Sequence, residues 1–102
     1  MGYVIAPITI EKAKDDTLRP IRVDALVDTG AALLSIPQHV ATQLRLQTKR
    51  TREVTLADGN VCAVPYVGPL RISFEDRDCF AGALGMGDEV LLGVVPLEEM
   101  DL

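Results

Sequence analysis

The apolar residues of this chain fall in short runs that Gly, Pro or Asp-Gly separates about every eight to twelve positions. Most runs are rich in β-branched residues, as in the stretches YVIAPITI and LRISF. In the stretch IRVDALV, residues 21, 23, 25 and 27 are apolar, so they share one face of a strand. The pattern predicts an all-β fold, a small closed barrel.

Two segments have the pattern of short helices. Pro37 can take the first position of a helix, and Val40, Ala41 and Leu44 follow at helical spacing. The stretch PLEEM near the end of the chain predicts one more helical turn. The barrel is therefore expected to carry one or two short helices.

Two hairpins are predicted in the second half of the chain. In the first, REVTL and VCAVPYV are joined by ADGN, where Gly59 can adopt a positive φ at little cost. In the second, LRISF and CFAGAL are joined by EDRD. No internal repeat or linker interrupts the 102 residues, so residues 1–102 are expected to form a single domain.

Composition narrows the classes of partner and cofactor. The chain has 10 Lys and Arg against 15 Asp and Glu, a formal charge of −5, which argues against a nucleic-acid partner. The sequence shows neither a secretory leader nor an apolar stretch of membrane-spanning length, which predicts a cytoplasmic protein without a membrane partner. Cys62 and Cys79 lack CxxC spacing and a nearby His, so we expect free packing thiols and no metal or other cofactor.

The main candidate for chemistry is Asp28, which is followed by Thr29 and Gly30 and flanked on both sides by apolar residues. A carboxylate in this setting is expected to be partly desolvated, and desolvation is costly unless hydrogen bonds or a second charge compensate. Two interpretations follow from the residues. Asp28 either caps a turn or takes part in a reaction.

The stretches ALVDTGA and EVLLG, with a hairpin between them, resemble the retropepsin-like aspartic proteases, in particular the single-domain prokaryotic type. The resemblance covers about 80 residues, from Arg22 to Leu102, and implies the retropepsin-like acid protease barrel. It implies that Asp28 is the catalytic aspartate. It also implies that the Thr29 hydroxyl ties two active-site loops together across a dimer, and that Gly30 lets the backbone approach.

The resemblance also assigns substrate contacts. The hairpin tip matches the flap that closes over substrate, and Ala31 and Leu91 are expected to line the cleft. The segment Leu91 to Gly93 matches the hydrophobic-hydrophobic-glycine element that packs beneath the catalytic loop. The predicted flap residues are Leu56, Ala57, Asp58, Gly59 and Asn60.

One Asp-Thr-Gly is half of what this chemistry requires. Two carboxylates must share one proton, so that one activates a water and the other protonates the substrate carbonyl oxygen. A homodimer with Asp28 on its two-fold axis supplies both carboxylates. The chain is therefore expected to be a homodimeric aspartic endopeptidase that hydrolyses a peptide or protein substrate.

Departures from the retroviral pattern keep other functions open. Ala32 and Val94 stand where retroviral members have an aspartate and an arginine, which suggests an apolar substitute packing. The resemblance also implies one more strand for the dimer sheet after Leu102, or else a differently built interface. The alternatives are a weak or inactive protease-like dimerisation or peptide-binding module, and a plain barrel in which Asp28 only caps a turn.

Overall fold

The structure, a computed structural model, describes residues 4–15, 17–56 and 58–102. Its strands are β1 (Val4–Lys12), β2 (Ile21–Val27), β3 (Leu34–Ile36), β4 (Gln47–Thr55), β5 (Val61–Phe74), β6 (Arg77–Gly85) and β7 (Leu91–Leu92). Its helices are α1 (Gln38–Gln43) and α2 (Val94–Glu99). The predicted strand-rich fold with two short helices is confirmed.

Six of the strands form a closed ring in the order β1, β2, β7, β3, β6, β5, which closes because β1 also pairs with β5. The β2–β7 and β3–β6 pairs are parallel, and the other pairs of the ring are antiparallel. β4 lies outside the ring and pairs with the first half of β5. The closed barrel predicted from the spacing of strands and turns is therefore confirmed.

β5 differs from the prediction, which divided it into VCAVPYV and LRISF. It is one strand of 14 residues that pairs with β4 as far as Gly68 and with β1 from Leu70. Its register against β6 shifts between Val67 and Leu70. Gly68, with φ of 155°, allows the bend there. Pro69 has no backbone N–H, so no donor is left without a partner at the bend. Gly and Pro thus mark a bend inside one strand.

The core lies inside the ring and includes buried residues of α1. Its largest fully buried side chains come from most strands of the barrel and include Ile8, Ile10, Leu34, Ile36, Leu70, Ile72 and Leu92. Val40, Ala41 and Leu44 are buried against them, as their helical spacing predicted. Pro37 has an extended backbone and is the N-cap, so the helix begins at Gln38, one residue later than predicted.

Both cysteines are free. Cys79 is buried on β6, and burial raises the pKa of its thiol, with a further contribution from the charges of Glu99 and Asp78. In residues 4–15, 17–56 and 58–102, no helix has the length and apolar character to cross a membrane. The same residues contain no group of three or more His, Cys, Asp or Glu arranged to hold a metal ion.

Candidate active site

Asp28 is the first residue after β2 and is held there by the neighbouring strand. Val27 lies opposite Leu92 of the parallel strand β7, and the Asp28 N–H donates a hydrogen bond of 3.0 Å to the Leu92 carbonyl. One step earlier, the Leu26 N–H donates to the Val90 carbonyl at 2.9 Å. Hydrogen bonds to the segment of β7 therefore hold the backbone both just before and just after the last residue of β2.

The Asp-Thr-Gly segment forms a tight turn. The Gly30 N–H donates to Oδ1 of Asp28 at 2.9 Å, and the Ala31 N–H donates to the Asp28 carbonyl at 3.1 Å. The first of these bonds orients the carboxylate, as in an Asx-turn. Asp28 thus does cap its turn, which was one of the two interpretations, and capping leaves its second carboxylate oxygen available for chemistry.

The expectation that Asp28 is partly desolvated is wrong for the single chain. Asp28, Thr29 and Gly30 are all exposed. The apolar flanks lie in the sequence on either side of the turn, but the turn itself projects beyond the end of β2. Apolar neighbours in sequence therefore do not cover this carboxylate.

The loop after Gly30 rests on the start of α2. The N–H groups of Val94 and Val95 donate to the carbonyls of Ala31 and Ala32, both at 2.9 Å. These backbone bonds join the segment that contains Ala32 to the segment that contains Val94, the two positions where retroviral members carry a charged pair. The link needs no side-chain charge.

Gly93 allows that close approach. A Cβ at this position would lie 2.5 Å from the Leu33 carbonyl oxygen and 2.8 Å from the Ala31 carbonyl oxygen, much shorter than any normal contact. Gly93 is itself buried between β7 and α2. The expectation that this glycine element packs beneath the loop agrees with these contacts.

Leu91 lies on β7, next to the strand that leads to Asp28. It is half-buried and pairs with Leu26 of β2 and Ser35 of β3, two residues before Gly93. The structure thus brings Leu91 to the same end of the barrel as Asp28 and Ala31. Its role in binding substrate stays a prediction.

The predicted flap is the projecting end of the β4–β5 hairpin. The Leu56 N–H donates to the Asn60 carbonyl at 2.7 Å, and the Gly59 N–H donates to the Leu56 carbonyl at 2.9 Å. Asp58 accepts hydrogen bonds from the backbone and side-chain N–H groups of Asn60 at 3.0 and 2.9 Å. Gly59 has a φ of 88°, as an Asp-Gly turn requires. Ala57, also predicted to bind substrate, lies outside the described residues.

A contact that the sequence did not reveal holds the base of this hairpin. The Tyr66 ring of β5 lies on Gly82 of β6, where a Cβ would come within 2.3 Å of the ring. The guanidinium carbons of Arg50 and Arg52 lie 5.1 and 5.2 Å from the ring centroid. A tyrosine and a glycine 16 positions apart carry no sequence signal of such a contact.

The closed barrel and the glycine-supported Asp-Thr-Gly loop define the class of retropepsin-like aspartic proteases. The model of one family, described as gag-polyprotein putative aspartyl protease, matches residues 19–99. The chain therefore belongs to this aspartyl protease family.

The solved structures include a similar fold. "Solution structure of Simian Foamy Virus (mac) protease" matches with a TM-score of 0.61 and covers 90% of this chain and 91% of that chain. The two chains are 17% identical, so this match shows the shared fold alone. A search of curated proteins gives no match.

Proposed function

We propose that this protein is a homodimeric aspartic endopeptidase whose active site contains Asp28 from each of two chains. The observation that carries the proposal is an exposed carboxylate on a loop fixed by backbone hydrogen bonds, in a chain of an aspartyl protease family. Exposure suits this role, because a carboxylate buried within one chain could not meet its copy on a dimer axis.

The two carboxylates share one proton and divide the work. The ionised Asp28 takes a proton from a water, whose oxygen attacks the peptide carbonyl carbon, while the protonated Asp28 donates its proton to the carbonyl oxygen. The tetrahedral intermediate then collapses: the first Asp28 gives the proton it took from water to the peptide nitrogen, the C–N bond breaks, and the second Asp28 takes a proton from a hydroxyl of the intermediate, which restores the shared proton. The products are a carboxylic acid and an amine.

The substrate in this proposal is an extended peptide held between the two Asp28 loops and the flap. Thr29 ties the two loops together across the dimer axis, while Ala31 and Leu91 line the cleft beside them. The flap residues, Leu56 and Asp58 to Asn60, are joined to each other by hydrogen bonds within the hairpin. The tip is therefore able to move as one unit over the peptide.

Asp28→Asn tests the proposal directly. We expect cleavage of heat-denatured casein to fall by at least about a hundredfold, since the amide can neither accept nor supply the shared proton. The wild-type rate is expected to be highest at acidic to mildly acidic pH and to fall at both extremes, because losing the shared proton removes the acid and adding a second removes the base.

The matched control is Asp76→Asn, which removes an exposed carboxylate between β5 and β6. It is expected to keep its activity. Wild-type cleavage by Asp28→Asn would show that the pair does not carry the reaction.

A second candidate function is a weak or inactive protease-like module that dimerises or binds peptides. One observation favours it: Ala32 and Val94 remove the charged pair that retroviral members have beside the catalytic loop. A dimer that binds peptides but cleaves neither casein nor a mixed peptide library at any pH would support this candidate.

A further inference from the structure

A groove of about 280 Å³ lies on the outside of the barrel, between β1, β2, the start of α1 and the segment before β7. We call it the outer groove. Its wall is mostly apolar, and its rim carries three carboxylates and one imidazole. The apolar residues are Ile5, Val23, Leu26, Pro37, Val40 and Val90, and the rim residues are Asp24, His39, Asp88 and Glu89.

The floor of the outer groove is a fixed apolar surface. Ile5 and Leu26 lie directly opposite each other on β1 and β2, and Ile5 is 56% exposed. Leu26 is held in place by its backbone bond to Val90. The volume lies just below the range of about 300–1,000 Å³ that small-molecule pockets occupy, so it suits one bulky side chain of a bound segment.

The rim has a net negative charge that the chain itself does not neutralise. Asp24, Asp88 and Glu89 are exposed, and the salt bridges within the described residues are made by Arg71 and Arg77, away from this rim. Arg22 is two positions before Asp24 on β2 but does not line the groove. A bound partner with positive charge would therefore complement the rim.

We propose that the outer groove docks an extended peptide segment in which a bulky aliphatic side chain stands between lysine or arginine residues. The aliphatic side chain covers Ile5 and Leu26. The flanking cations lie near Asp24 on one side and near Asp88 and Glu89 on the other.

The outer groove is distinct from the proposed cleft but adjacent to it. Asp88 and Glu89 also line a second depression, together with Gly87 and Leu91. Since Leu91 is assigned to the cleft, a segment docked in the outer groove would lie next to a peptide in the active site. The groove would thereby select proteins with such a segment near the bond to be cut.

The test measures binding by the full chain carrying Asp28→Asn, so that a peptide is not cut during the measurement. The probe is a fluorescein-labelled peptide with the sequence Gly-Lys-Leu-Lys-Gly, followed by anisotropy at neutral pH. Replacing Asp88 and Glu89 together by lysine is expected to weaken binding at least about tenfold. Raising the salt concentration is expected to weaken binding by the original chain, because it screens the exposed carboxylates.

Matched controls separate the groove from the overall negative charge. Asp76→Lys changes the charge at an exposed turn outside the groove and is expected to alter binding less than about twofold. A peptide with alanine in place of leucine is expected to bind at least about tenfold more weakly, since the apolar floor then has no partner. Ile5→Lys should give the same loss, with the fold checked by circular dichroism.

Three results would overturn the proposal. One is a Glu-Leu-Glu peptide that binds as tightly as the lysine peptide. Another is an equal loss of binding with Asp76→Lys, and the last is a change of oligomeric state with Ile5→Lys, which would make the groove an interface between copies. The measurement uses the Asp28→Asn chain, so these results test docking and do not test proteolysis. A failure of the original chain to cleave casein would contradict the proposed function but not the docking of the segment.

Discussion

At the scale of single residues, two glycines constrain the Asp28 loop in different ways. A Cβ on Gly93 would meet the backbone carbonyls of residues 31 and 33, and the first of these accepts a hydrogen bond from the Val94 N–H. A Cβ on Gly30 would meet only Oδ1 of Asp28, at 3.2 Å. The first glycine is therefore needed for packing of the loop, and the second for the position of the carboxylate.

The comparison of Gly93→Ala with Gly30→Ala follows from these contacts. Gly93→Ala is expected to lower the free energy of unfolding by about 1–3 kcal/mol, because the loop and α2 must separate to admit the methyl group. Gly30→Ala is expected to cost less than about 1 kcal/mol but to reduce cleavage about tenfold, since it displaces Asp28. Urea denaturation and casein assays check both, and equal stability of the two variants would contradict the packing argument.

At the scale of elements, the β4–β5 hairpin is attached to the barrel mainly at its base. β4 is an edge strand that lies outside the ring, and nearly all of its residues are exposed. Its Lys and Arg residues discourage pairing of that edge with other chains. The ring of Tyr66, placed between Gly82 and two arginines, anchors the base while the tip extends into solvent.

Truncation of the Tyr66 side chain should increase opening of the β4–β5 hairpin without unfolding the barrel. Tyr66→Ala is expected to raise amide hydrogen exchange along β4 and the first half of β5, because the ring contacts with Gly82, Arg50 and Arg52 are lost. Tyr66→Phe keeps the ring and should exchange as the original chain does. Unchanged exchange in Tyr66→Ala would mean that the strand hydrogen bonds alone hold the hairpin.

At the scale of the whole molecule, the proposed enzyme is complete only as two copies. Each barrel presents one exposed Asp28, so a separated chain would hold half of the reaction centre. Val4 is 66% exposed and lies opposite Val27, next to Asp28. Apolar surface beside the carboxylate is therefore available to a second copy.

Mixing experiments test this dependence on two copies. Addition of an excess of Asp28→Asn chain to the original chain is expected to inhibit cleavage, because mixed dimers contain one carboxylate. An excess of Asp76→Asn chain should not inhibit, and activity per chain should fall on dilution as monomers form. Activity that is unaffected by the Asp28→Asn chain and proportional to concentration would show that one chain is sufficient.

The local structure of this protein was largely predictable from its sequence. Alternation in residues 21–27 predicted β2, the spacing of Val40, Ala41 and Leu44 predicted α1, and Asp58-Gly59 predicted the hairpin turn. These features depend on neighbours within a few positions, so side-chain period and turn chemistry determine them. The Asp-Thr-Gly motif, also local, identified the candidate carboxylate.

Tertiary structure decided what depends on distant residues. β1 pairs with the part of β5 that follows the Gly68-Pro69 bend, and this pairing closes the ring. β4 pairs with the part before the bend and therefore lies outside the ring. It also decided that Asp28 is exposed despite its apolar flanks. Burial and ring closure arise from contacts between segments far apart in the chain, and a local pattern of apolar and polar residues does not specify which segments meet.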